Sequence, residues 1–202
     1  MRTLGQLLAW TLGIASGFAQ GTFVYDQQSS TESFPGEANA LIQPDGPVGQ
    51  SFTPSLTAVG FIRLDLFDWN NNNGKGATVF VNLRANSIGG TILGSSTPVF
   101  MPDGFAVHSG GFTNFFFQTP VSVTPGTTYY FDLVAQAGSD TWGVRRYFFG
   151  SDYPGGTEFI SGLPGIGDLW FREGIIVPEP SSVALVLIGA GGLLWVRRVR
   201  QR

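Results

Sequence analysis

Apolar and polar residues alternate with a period of two through most of this chain. The clearest stretch is Val59 to Phe67, where Ile62, Leu64 and Leu66 point one way and Phe61, Arg63, Asp65 and Phe67 the other. That alternation is the signature of a β-strand with two unlike faces. Thr78 to Arg84 repeats it with Val79, Val81 and Leu83, and Thr128 to Val134 with Tyr129, Phe131 and Leu133 inward and Tyr130 and Asp132 outward. Between the first two strands lies Asp68-Trp69-Asn70-Asn71-Asn72-Asn73-Gly74-Lys75-Gly76. Asn and Gly accept left-handed backbone, so this segment predicts a hairpin loop. Shorter strands are expected at Thr22–Tyr25, Gln50–Phe52, Thr91–Gly94, Asn114–Gln118, Trp142–Phe148, Glu158–Ile160 and Leu169–Arg172. The aromatic cluster Phe112, Phe115, Phe116, Phe117 and Phe131 reads as core. No segment from Gln20 to Val177 has a useful 3.6-residue period, and no repeat of fixed length is present. Many short strands separated by Gly and Pro turns predict an all-β fold, an antiparallel, jelly-roll-like β-sandwich.

The two ends break the pattern. Met1-Arg2-Thr3 is followed by a mostly apolar stretch from Leu4 to Ala15, then by the small residues Gly17 and Ala19. This is the layout of a secretory signal peptide, residues 1–19, with cleavage after Ala19 or, alternatively, after Gly17. At the other end, Pro178-Glu179-Pro180 precedes an uncharged run, Ser181 to Val196, and a basic end containing Arg197, Arg198, Arg200 and Arg202. As a helix the run would be roughly 24 Å long, against a hydrocarbon core of about 30 Å. It therefore predicts one short transmembrane helix whose arginines favour the cytoplasmic side of the membrane.

These three elements, in this order at the C-terminus, resemble the PEP-CTERM sorting signal of Gram-negative exported proteins. The resemblance covers residues 178–202 alone. It implies that an exosortase recognises Pro178, Glu179 and Pro180 and processes the tail, and that the mature protein is associated with the cell surface and exopolysaccharide. The middle of the chain is similar, less specifically, to jelly-roll sandwich modules of exported bacterial proteins. That similarity rests on Gln50-Ser51-Phe52-Thr53-Pro54, Val79-Phe80-Val81-Asn82-Leu83, Val121-Ser122-Val123-Thr124-Pro125-Gly126-Thr127-Thr128-Tyr129-Tyr130-Phe131, Tyr153-Pro154-Gly155-Gly156 and Asp168-Leu169-Trp170-Phe171-Arg172.

Residues 20–177 are enough for one domain with a real core. They contain no cysteine and a single histidine, His108, which rules out thiolate or His-rich metal sites. Thirteen acids face six bases in this segment, a net charge of −7, so no nucleic-acid partner is expected. His108 sits in a Gly-rich segment without a Gly-x-Ser-x-Gly elbow, which argues against Ser-His-Asp hydrolysis. No cofactor is expected beyond a candidate structural calcium ion, with Asp68, Asn70 and Asn72 supplying oxygens. Asp26 with Glu32 and Glu37 is a second acidic grouping of that kind. Trp142, Asp168, Trp170 and Arg172 form a candidate saccharide patch, because strand parity turns Trp170 outward between Asp168 and Arg172.

The expected function is therefore non-catalytic: an exported surface or matrix protein associated with polysaccharide. The alternative is a polysaccharide hydrolase or lyase using outward carboxylates, with Asp65 and Asp132, or Glu158, Asp168 and Glu173, as its acids.

Overall fold

The computed structural model describes residues 21–29, 38–107, 110–147 and 153–178. They form fourteen strands and no helix. In order these are β1 (Thr22–Gln28), β2 (Ala38–Leu41), β3 (Val48–Phe52), β4 (Ala58–Asp68), β5 (Ala77–Ala85), β6 (Ile92–Ser95) and β7 (Val99–Met101). They continue with β8 (Phe112–Ser122), β9 (Tyr129–Ala135), β10 (Trp142–Tyr147), β11 (Glu158–Ile160), β12 (Leu163–Pro164), β13 (Asp168–Leu169) and β14 (Phe171–Val177).

The strands divide into two seven-stranded sheets. The first is built around β4, which pairs with β8 over Ala58–Asp65, with β14 over Phe61–Leu64 and with β10 over Leu66–Asp68. β1 flanks β14, while β2 and β13 pair with β10. The second sheet runs β12-β11-β3-β9-β5-β6, with β7 also on β5. The alternation read from the sequence decides which residues lie between the sheets. Ile62, Leu64 and Leu66 of β4 join Val81 and Leu83 of β5 and Phe131 of β9 in one buried cluster. Each such side chain contributes about 1.5–3 kcal/mol on burial.

The aromatic cluster divides by the same rule. Phe115, Phe117 and Phe131 belong to the core, while Phe116 lies on the outer face of the first sheet against Phe23 and Phe61.

The expected hairpin is corrected. β4 and β5 do not pair: β4 belongs to the first sheet and β5 to the second, so the Asn-rich segment crosses between layers. It does make the predicted reversals, with Asn72 at φ 67° and Gly74 at φ 74°. Turn residues specify a bend, but the strands' other partners decide where the chain goes next. Here β5 is taken by β9 along its length, from Val79–Ala135 to Ala85–Tyr129.

Phe23–Val177 packs as one unit. Among the described residues no helix is long and apolar enough to cross a membrane. The predicted signal peptide 1–19, the predicted span 181–196, Glu179, Pro180, the four terminal arginines, His108, Glu32 and Glu37 lie outside the described residues.

Candidate functional site

The proposed saccharide patch does not exist as an exposed surface, because Trp142 and Trp170 are both 0% exposed. Trp142 shares a face with Val144, as its parity requires, but that face is the inside of the sandwich. Trp170 does lie on the outer face. There Phe112 packs on it at 4.5 Å between ring centroids, and the Arg172 guanidinium lies 5.6 Å from its ring. Asp168 turns the other way. The chain bends at Trp170, passing from its pairing with β10 to its pairing with β4, and the bend breaks the alternation. Asp168 therefore enters the interior, where Gln50 Nε2 donates to it at 2.7 Å.

The carboxylates proposed for catalysis are also covered. Asp65 and Asp132 have outward parity, yet both are buried. Arg84 Nε donates to Asp132 at 2.5 Å. Asp65 accepts from the Gly111 N–H at 2.7 Å and lies 3.5 Å from Arg145 Nε. Burial pushes the Asp65 carboxyl above its usual range, opposed by Gly111 and Arg145.

Glu158, Asp168 and Glu173 belong to a polar seam between the sheets. Gln50 Oε1 accepts from the Leu169 N–H at 2.9 Å, so one amide of the second sheet holds two groups of the first. Arg146 of β10 donates to Glu158 of β11 at 2.5 Å, also across the layers. Burial pushes Glu158 up, with Arg146 acting against it. The Tyr153 hydroxyl accepts from the Thr53 N–H at 2.9 Å and donates to Gln27 at 3.2 Å, and burial pushes it up to about 12. At the end of the seam, burial and then the nearby charge of Asp26 push Glu173 up to about 9.

The exposed chemistry lies at the Asn-rich crossover. Trp69 is 51% exposed, with the Phe67 ring behind it at 6.2 Å and 63°. The loop base is pinned where Asp68 N–H donates to the Phe105 carbonyl at 2.9 Å. Asp103 accepts from the N–H groups of Asn72 and Gly74, both at 2.8 Å. Gly74 first, then Asn72, hold Asp103 below the usual carboxylate range. Asp140 accepts from Asn73 Nδ2 at 2.5 Å, which holds it low as well. A depression of about 220 Å³ is lined by Asn71, Asn72, Gly104 and Val107.

Of the three residues proposed for calcium, Asp68 and Asn70 meet directly, while Asn72 turns to other partners. Asp68 is 2% exposed and accepts from the N–H groups of Asn70 and Gly104 at 2.9 and 2.8 Å. Asn70 reaches Asp140, and Asn72 donates to Asn71. Among the described residues no three His, Cys, Asp or Glu converge on a metal position. Trp69 was legible in the sequence as a loop-base aromatic, but parity drew attention to the strand tryptophans instead.

β14 extends to Val177, and Pro178 follows directly. A comparison with curated proteins finds no match for this chain. Among protein families, residues 177–201 match the PEP-CTERM protein-sorting motif, which marks the chain as an exported protein sorted by an exosortase to the cell envelope or surface.

Proposed function

We propose that this chain is a non-catalytic surface or matrix component that associates with extracellular polysaccharide through the Trp69 loop end. The observation that carries the reading is a half-exposed indole backed by Phe67 on a loop with four asparagines. Sugar rings stack on flat aromatic faces, and amides and carboxylates beside such a face bond the hydroxyls. Against the hydrolytic alternative, its acids Asp65 and Asp132 are buried and held by arginines.

Glycan-array and affinity-gel binding of the full chain tests this. Trp69→Ala is expected to weaken binding about tenfold or more, stacking being worth about 1–3 kcal/mol on analogous aromatic platforms. Unchanged binding in that variant would place the contact elsewhere. Release of new reducing ends from the polysaccharide would replace the binder with an enzyme.

The second part of the reading concerns the tail. The N-terminal leader is removed on export, and the sorting signal is then cut near Pro178–Pro180, freeing the sandwich from the inner membrane. The support is the lack of any spacer: β14 ends at Val177, next to the motif. Mass spectrometry of the mature protein is expected to show no peptide from residues 183–202. Detection of those residues in the surface fraction would mean a permanent anchor.

A further inference from the structure

We infer that Glu173 of β14 and Asp26 of β1 hold a hard divalent cation of the calcium type at the end of the buried seam. Glu173 shares the inward parity of Phe171 and is 0% exposed. No donor meets either carboxylate oxygen in full hydrogen-bond geometry, and the backbone group that acts on it is the Gln27 N–H. Buried carboxylates are ordinarily met by donors or cations, and an unmet one is strongly destabilising. Its side-chain neighbour Asp26 is another acid, which adds to the deficit that the Gln27 N–H opposes.

The surroundings do not correct the imbalance. Asp26, Glu158, Asp168 and Glu173 line the seam, and Glu158 Oε2 is also without a donor. The guanidinium that enters the seam, Arg146, bonds Glu158 at the far end. Arg172, next to Glu173 in sequence, points to the opposite face and covers Tyr25 and Trp170. Asp26 and Glu173 therefore stand together at the end of the seam away from Arg146.

The donor set selects the kind of ion. It consists of oxygen atoms, with no thiol in the chain and no histidine among the described residues. Calcium accepts irregular shells of carboxylate, amide and carbonyl oxygens, whereas magnesium demands a near-ideal octahedron. Asp26 is preset for the role. Its carboxylate accepts from the Ser55 and Leu56 N–H groups at 2.7 and 2.9 Å, and from the Ser55 hydroxyl. Those bonds fix its position, and its partial exposure gives an ion access from solvent. Two carboxylates are the acidic part of the shell, and carbonyls and water complete it. The site lies on a different part of the fold from the Asp68 loop. It joins the first and last strands of the domain.

The test is thermal unfolding of the full chain, first stripped with chelator and then titrated with calcium chloride. The midpoint is expected to rise about 5–10 °C at a hundredfold excess over Kd. Calorimetric titration is expected to show binding. Glu173→Gln, which keeps the shape of the side chain, is expected to remain folded by circular dichroism and to lose the response. Asp68→Asn is expected to keep it. The inference is overturned if calcium leaves the midpoint unmoved, or if Glu173→Gln responds as the native chain does. It is equally overturned if the response disappears with Asp68→Asn alone.

Discussion

Held in chelator, the protein is expected to lose stability steadily as pH rises from about 4.5 to about 9, and Glu173→Gln is expected to remove that contribution. The ordinary glutamate value is 4.5, and burial beside Asp26 pushes the folded-state value to about 9. Between those two limits the unfolded chain has released this proton while the folded chain still holds it. Stability then falls as pH rises, by about 1.4 kcal/mol per pH unit from this one group. Below 4.5 both states are protonated and the contribution is flat; above about 9 both are ionised and it is flat again. By pH 8 the accumulated loss is several kcal/mol, a large share of a typical domain's stability. Urea unfolding midpoints at pH 5, 6.5 and 8 measure it. Parallel slopes for the native chain and Glu173→Gln would show that the side chain escapes to solvent when it ionises.

The second large effect is expected at Arg146. Arg146→Ala should cost about 3–5 kcal/mol near neutral pH, because it leaves the Glu158 carboxylate buried without its cation. Glu158 is 0% exposed, and Arg146 bonds it at 2.5 Å. The Gly167 N–H also donates to that oxygen, at 3.2 Å. Adding Glu158→Gln to Arg146→Ala should restore a substantial part of the loss by removing the stranded charge. Denaturant melts of both single variants and the double variant give the coupling. If Arg146→Ala costs less than about 1 kcal/mol, the pair does not join the layers in the way its geometry indicates.

The long strands were legible because an alternating pattern must bury one set of side chains. Ile62, Leu64 and Leu66, and likewise Tyr129, Phe131 and Leu133, lie in the core as their parity requires. Short strands leave no such trace: β2, β7 and β12 have 4, 3 and 2 residues, too few to establish a period. Parity gives direction and not cover, so Trp170 faces outward and is still sealed beneath Phe112. It also assumes an unbroken strand, and the bend after Leu169 sent Asp168 inward. The Asn-rich crossover announced its reversals but not its destination, since pairing partners are set by strands far away in sequence. Glu173 carried a signal that went unread. Two residues beyond Phe171 on one strand, it had to follow that ring into the interior. The sorting motif was legible in full, because such a signal is recognised as a linear sequence and depends on no tertiary neighbour.

The place of β14 between β1 and β4 has a further result for the order in which the sandwich assembles. The last strand of the domain is not an edge strand that could be added at leisure. It fills an internal position, supplies Phe171 to the core, and completes the edge of β4 at Phe61–Leu64. Until β14 is in place, the first sheet has a gap in it and the core lacks a wall. The sandwich therefore closes late, because pairings distant in sequence form only once both partners are present. The strand that closes the sandwich runs directly into Pro178, so the fold is completed by the residues that adjoin the sorting motif.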